Sequence, residues 1–337
     1  MPTKTYADAI DDAIAQAMQA DERVVIWGED LDMIRRNLYV RFGAERVRCT
    51  PISEGAFVGA GVTAAMGGLR PIVELLLVDF AGVAMDAILN HAAKIEAFSG
   101  GQWPVPLVIR AGCGGGYGDG GQHQQALWGW LAHIPGLTVV VPSTPADAGG
   151  LMLAAIEHDG PVIFLEHKLL STVWREGLGR LGRSTVTFDV PPDGEKGPVP
   201  RTWMPLPFGQ AAVRREGRDL TIVSVSLGVH RALAAAGELA ADGVQAGVID
   251  LRTVTPLDVS TVRDAVKRSG RLLVVDEDYQ GFGLSGELAA VVLEGGIACR
   301  YARVCTQTTI PFARHLEEQT LPNVPRIVAA ARDLLRA

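Results

Sequence analysis

The chain has 337 residues, 48% of them hydrophobic and 20% charged, and that length predicts two domains rather than one core. A net charge of −7 excludes nucleic acid and anionic membrane surfaces as main partners, because both reward basic patches. The N-terminus lacks a signal-peptide run, no apolar stretch is long enough to span a bilayer, and Cys49, Cys113, Cys299 and Cys305 show no CxxC spacing, so a cytoplasmic protein with reduced thiols is expected.

Along the chain, Thr5 caps a helix with Ala7, Ile10, Ile14 and Met18 on one face, and Arg23 to Trp27 reads as a short strand. A small-residue helix follows Glu54, Pro71 to Leu77 is a strand, and Phe80 to Phe98 reads as one helix stopped by Ser99-Gly100-Gly101. Leu107 to Arg110, Leu137 to Val141 and Pro161 to Leu165 are further strands, with a helix starting near Pro145. Residues 189–207 hold six prolines and predict an ordered or semi-extended linker between a first domain (1–188) and a second (208–337). The second half repeats the alternation: strands to Val225, Val244 to Ile249, Arg271 to Val275 and Tyr301 to Val304, with helices between and a helix at the end. Strands alternating with helices predict two α/β domains, each built on a parallel sheet covered on both faces.

One acid stands out. Glu54 is the only charged residue between Thr50 and Leu69, and the small apolar run after it cannot neutralise a carboxylate. Burying such a group unpaired costs several kcal/mol, so it stays protonated or awaits a ligand. The plainer reading is a solvated Glu in a helix first turn, favoured by the dipole.

The segment Ala111 to Gly121 (AGCGGGYGDGG) follows a strand and contains a formal G-x-G-x-x-G at Gly116, Gly118 and Gly121. A dinucleotide site also needs an acid at the end of the next strand, and that strand ends Val139-Val140-Val141-Pro142. Gly118-Asp119-Gly120 opens the motif that holds magnesium and a diphosphate in thiamine enzymes, but its Asp needs an Asn further on as a second oxygen ligand. The three Asn of the chain, Asn37, Asn90 and Asn323, are not placed to supply it. This chain therefore touches such a cofactor, if at all, at its other end.

TPISE, AAMGGLRPIVE, VDF, GGQWPVPLVIR, Gln122-His123, HIPGLTVVVPSTPADAGGL and GPVIFLEHKLL occur in an order and spacing that resemble the beta subunit of the thiamine diphosphate-dependent 2-oxo acid dehydrogenase decarboxylase component, a transketolase-like family. LVDFAGVAMDAILNHAAK is most similar to the acetoin dehydrogenase beta subunit, and DLTIVSVS, VIDLRTVTPLD and LLVVDE resemble the family's C-terminal domain. The resemblance implies thiamine diphosphate shared with a separate alpha subunit in an α2β2 heterotetramer, with Mg2+ held mainly by that subunit. It also implies an acyl fragment passed to a lipoyl-bearing acyltransferase core. An acyloin-forming acyl transferase and a non-catalytic assembly subunit are the alternatives.

Residue by residue, the resemblance makes Glu54 the acid that bonds the pyrimidine ring nitrogen and so helps the cofactor lose its thiazolium proton. Phe80 is implied to stack on the pyrimidine, Ile52 and Leu76 to wall it, and His123 to steer a substrate carboxylate or exchange a proton during acyl transfer. Glu29 and Asp86 match acids thought to link paired sites by proton transfer, and a potassium ion is implied at the backbone of Leu107, Ala155, His158 and Gly160. Two departures stand out: a short loop between Glu29 and Tyr39, and Tyr117 and Asp119 where the family has small residues.

Overall fold

Thr5 accepts a hydrogen bond from the Asp8 amide (3.1 Å) and starts the first long helix, as its position before an apolar-periodic run requires. The computed structural model describes residues 1–179 and 188–336; residues 180–187, at the expected end of the first domain, and Ala337 lie outside the described residues. The first half runs β1 (Thr3–Thr5), α1 (Tyr6–Ala20), β2 (Val24–Gly28), α2 (Leu31–Ile34), α3 (Arg36–Phe42), β3 (Val47–Cys49), α4 (Glu54–Met66), β4 (Arg70–Leu77), α5 (Ile95–Phe98), β5 (Val108–Cys113), α6 (Trp128–Ala132), β6 (Thr138–Val140), α7 (Pro145–Glu157) and β7 (Val162–His167). The remainder runs α8 (Pro192–Glu195), β8 (Lys196–Pro198), β9 (Ala212–Arg215), β10 (Leu220–Ser224), α9 (Leu227–Ala241), β11 (Ala246–Asp250), β12 (Thr253–Thr255), α10 (Val259–Ser269), β13 (Arg271–Tyr279), α11 (Leu284–Glu294), β14 (Arg300–Thr306), α12 (Arg314–Thr320) and α13 (Val324–Arg336).

Seven strands form the first sheet in the order β12-β6-β7-β5-β4-β2-β3, and five form the second in the order β14-β13-β10-β11-β9. All pairs in these two sheets are parallel except at one edge of each, where β12 lies antiparallel to β6 and β9 antiparallel to β11. The two sheets are therefore mixed at their margins. Because β12 comes from the second half, that half completes the first half's sheet. One apolar core likewise joins Val73, Leu107 and Ile163 to Val223, Ile249, Leu272 and Leu288. No helix among the described residues is long and apolar enough to cross a membrane.

One expectation changes on contact with the tertiary structure. The stretch Phe80 to Phe98 is not one helix: a 3-10 turn (Val78–Gly82), a π-helical stretch (Ala87–Ala92) and α5 follow one another. Asp79 bonds Gln125 of another loop (2.9 Å), and the i→i+5 bond from Ala93 N to Ile88 O inserts the extra residue that keeps Ala87, Ile88 and Ala92 facing the core. The proline-rich stretch is packed against the first half. β8 pairs with β1, Val199 and Trp203 are buried, and the Trp203 indole donates to Asp12 of α1 (3.0 Å).

Beneath the sheet lies a buried ionic cluster. Arg35 pairs with Glu74 (2.7 Å), and Arg110 pairs with Glu166 (2.5 Å) and Asp11 (3.2 Å), all but Asp11 fully enclosed. Burial alone would push the Glu166 carboxyl up, yet Arg110 and Arg35 hold it below its ordinary value. Arg110→Met is expected to cost about 3–5 kcal/mol of stability, because Glu166 would lose its nearest cation inside the core. Urea denaturation at neutral pH measures this; a loss under about 1 kcal/mol would mean the cluster is not needed for folding.

Candidate active site

Helix α4 begins at Glu54, after Ser53 at the N-cap, so the carboxyl sits in the first helical turn. The helix lies close against β4 and β5 because Gly61 has no side chain there; a Cβ would come within 2.7 Å of Val73 and 3.1 Å of Leu107. The small residues after Glu54 thus set its depth, and Glu54 is 9% exposed. Glu29, just past β2, is 7% exposed, and its Oε1 is buried without a hydrogen-bond partner. Burial, then the charges of Glu54 and Asp30, push the Glu29 carboxyl up. The structure therefore makes Glu29 and Glu54 electrostatic neighbours, a pairing the sequence reading, which set Glu29 beside Asp86, did not make.

Phe80 lies on the 3-10 turn after β4, and the neighbouring Val83 carbonyl comes within 3.4 Å of where a Gly55 Cβ would stand. The turn bearing Phe80 therefore packs at the N-terminal end of α4. The Phe80 ring meets the His123 imidazole edge to face, centroids 5.8 Å apart and planes at 86°. Leu76 is half-buried near the same strand end, whereas Ile52 is 79% exposed. Asp86 stands apart: it is exposed, bonded to Asn90 (2.7 Å) and close to His91 (3.4 Å). Leu107 and residues 155–160 are adjoining backbone segments. The Leu107 carbonyl accepts from Val162 N (2.8 Å) and the His158 carbonyl from Arg70 (3.1 Å), leaving one lone pair on each. Among the described residues, no group of three or more His, Cys, Asp or Glu is arranged to hold a metal ion.

The glycine-rich loop proves to be an anion nest occupied by the protein itself. Gly114, Gly116, Gly118 and Gly120 adopt positive φ, and Gly116 has no room for a Cβ, which would fall 2.6 Å from Leu169. The turned amides point at carboxylates of the second half. Gly115 N donates to Glu277 (2.6 Å), and Gly116 N and Gly118 N donate to Glu317 (3.0 and 3.1 Å). Burial would raise the Glu277 carboxyl, but His167 (3.1 Å), Arg231 and the Gly115 amide bring it down to about 2.

Sequence reasoning missed these anchors. Glu317 sits on α12 with no local motif around it, and Glu277 sits mid-strand in an acidic run. Asp79 and Lys168 were also passed over, although each stands in a segment already singled out (VDF and FLEHK). Asp79 accepts from the Gln125 amide (3.3 Å) and side chain (2.9 Å); the Lys168 ammonium donates to the His123 carbonyl. Tyr117 is buried against Phe188, ring centroids 5.0 Å apart, so this family departure is part of the packing under the loop, and Asp119 is half-buried beside it.

The fold is that of two transketolase units. Residues 3–172 match the family described as Transketolase, pyrimidine binding domain, and residues 209–327 match Transketolase, C-terminal domain. A solved split-gene transketolase, described as an inactive beta4 tetramer, superposes with a TM-score of 0.78 at 21% identity over 98% of both chains. Among curated relatives, the chain is 39% identical to the acetoin:2,6-dichlorophenolindophenol oxidoreductase subunit beta of Cupriavidus necator, over 97% of this chain and 96% of that one. It is 40% identical to the pyruvate dehydrogenase E1 component subunit beta of Rhizobium meliloti (98% and 70% covered) and 37% identical to the 2-oxoisovalerate dehydrogenase subunit beta of Bacillus subtilis (99% of both). The chain belongs to this family of beta subunits of thiamine diphosphate-dependent 2-oxo acid and acetoin dehydrogenases.

Glu277→Gln is expected to weaken the joint between the loop and the second half. A folded pKa below the ordinary 4.5 contributes stability that is complete above pH ~4.5 and is lost as pH falls toward 2. The variant should therefore be clearly less stable than the parent at pH 7, with the gap closing toward pH 2–3, as followed by urea denaturation across pH. An equal gap at every pH would mean the charge of Glu277 does not carry the effect.

Proposed function

We propose that this chain supplies the pyrimidine side of a thiamine diphosphate site in a 2-oxo acid or acetoin dehydrogenase, working with a separate alpha subunit. The observation that carries the reading is the buried, adjacent pair Glu54 and Glu29 at the N-terminal end of α4, beside the turn that sets Phe80 against His123. Glu54, buried in the first turn of α4 and without an ion-pair partner among the described residues, suits a heteroaromatic ring that can accept or share a proton. The pyrimidine fits that description.

When bound, thiamine diphosphate supplies a carbon able to take up the electron pair released in C–C cleavage. With the cofactor bound, Glu54 would hold a proton at the pyrimidine ring nitrogen, and its burial at the start of the small-residue helix would shield that hydrogen bond from water. Phe80 offers its ring to the pyrimidine, and Ile52 and Leu76 bound it. His123 stands at the substrate side, where an imidazole orients a carboxylate or exchanges a proton as the acyl group leaves. Glu29, beside Glu54, is placed to share a proton with it, whereas Asp86, exposed and bonded to Asn90, would reach that pair only through a neighbouring subunit. The diphosphate and Mg2+ belong to the alpha subunit in an α2β2 arrangement in the cytoplasm. A K+ ion on the carbonyls of Leu107, Ala155, His158 and Gly160 would stiffen the α7–β7 joint. The acceptor of the acyl fragment is a lipoyl group on an acyltransferase core.

The substrate class follows the relatives, whose names specify acetoin, pyruvate and 2-oxoisovalerate. Produced with its alpha subunit, the chain is expected to reduce 2,6-dichlorophenolindophenol with at least one of these three. Glu54→Gln should lower turnover by roughly 10²-fold or more while assembly is unchanged. Full turnover in the variant would rule out a proton-holding role for Glu54. Calorimetry should also show that the chain alone binds thiamine diphosphate and Mg2+ weakly; tight binding would overturn the shared site.

A further inference from the structure

His123 does not stand freely at the mouth of the site; its backbone is gripped from below. Lys168, in the turn after β7, is 2% exposed, and its own amide bonds the Cys113 carbonyl at the end of β5 (3.0 Å). The sheet thus fixes where the side chain starts. Its ammonium donates to the carbonyl of His123 and lies 4.9 Å from the centroid of the Tyr117 ring. Among the described residues no carboxylate comes within ion-pair distance of it, although a buried cation is costly unless its charge is used. Burial pulls the Lys168 pKa down, and the more distant Asp79 and Asp119 oppose that pull. On the other side of the same segment, Asp79 takes both hydrogen bonds offered by Gln125. A carboxylate therefore holds the donor side of the strap 123–125 and an ammonium holds its acceptor side. Asp79 immediately precedes Phe80, so both halves of the ring pair are referred to one clamp.

We propose that Lys168 is a positioning residue that fixes the His123 imidazole over Phe80 by holding the His123 carbonyl. This rests on the reading of His123 as a working residue of the site. Its energetic logic is orientation: a catalytic group displaced by about 1 Å loses on the order of 10²-fold in rate.

The test uses the assembled chain and alpha subunit, with dichlorophenolindophenol reduction on whichever of acetoin, pyruvate or 2-oxoisovalerate is turned over. Lys168→Met is expected to lower kcat by about 10- to 100-fold with KM changed less than about twofold, and Lys168→Arg to recover part of it. Added to His123→Ala, Lys168→Met should cause no further loss, because the group it positions is already gone. A second readout needs neither cofactor nor turnover. In the cofactor-free protein, carbethoxylation of His123 relative to the exposed His133, followed by mass spectrometry, should quicken several-fold in Lys168→Met as the strap loosens. Unchanged kcat, additive losses in the double variant, or an unchanged His123-to-His133 ratio would each overturn the proposal. If Lys168→Met does not fold, Lys168→Arg decides by the same ratio, since it keeps the buried charge and moves the donors. If His123→Ala turns over at the full rate, the role of His123 fails instead, and the carbethoxylation ratio still judges the clamp.

Discussion

The amides of Gly115, Gly116 and Gly118 turn toward a common side, and the anions they bind are carboxylates of the chain's own second half. A run of left-handed glycines creates a concentrated patch of donors, and leaving such a patch dry and unmatched would cost more than any local packing could offset. Glu277 and Glu317 accept from these amides, so the loop is held against the second half by its own backbone. His123, at the end of the same loop, is held in turn by Lys168 and by the Asp79–Gln125 pair.

The same accounting of charge separates structural acids from candidate working ones. Glu74, Glu166, Glu277 and Glu317 are enclosed, and each faces a cation: guanidinium groups at Glu74, Glu166 and Glu317, an imidazole and a guanidinium at Glu277. Glu29 and its neighbour Glu54 have no cation within ion-pair distance among the described residues, and the apolar Ile52 and Val83 near them are open to solvent, 79% and 65% exposed. Unneutralised acids beside uncovered apolar surface are costly in an isolated chain. Under the function proposed above, a cofactor ring and a neighbouring subunit would relieve that cost.

Much of the fold is legible in the residues. Thr5 before an apolar stripe starts α1, Pro145 after Thr144 starts α7, and the β-branched runs at 71–77, 162–165 and 220–224 are strands, because hydrophobic period and capping chemistry are local properties. Residues whose fate depends on distant partners are not legible in this way. The helical composition from Phe80 to Phe98 says nothing about Gln125 claiming Asp79, nor about the extra residue in the π turn. The antiparallel edge strand at Thr253–Thr255 is too short to carry a period, and only its pairing with β6 defines it.

For the site itself, the sequence alone determined that one acid, Glu54, stands in an uncharged run at a helix start, and that the Gly-Asp-Gly of the loop has no carboxamide to complete a cation site. Both follow from residue type and spacing, which the chain carries without folding. The tertiary structure decided that Glu29 is the neighbour Glu54 meets, that Phe80 meets His123 edge to face, and that Lys168 and two distant glutamates hold the loop between them. Those relations join residues up to about two hundred positions apart. They arise only where burial forces each donor to find an acceptor, a condition that acts on the folded whole and leaves no mark on any short stretch of chain.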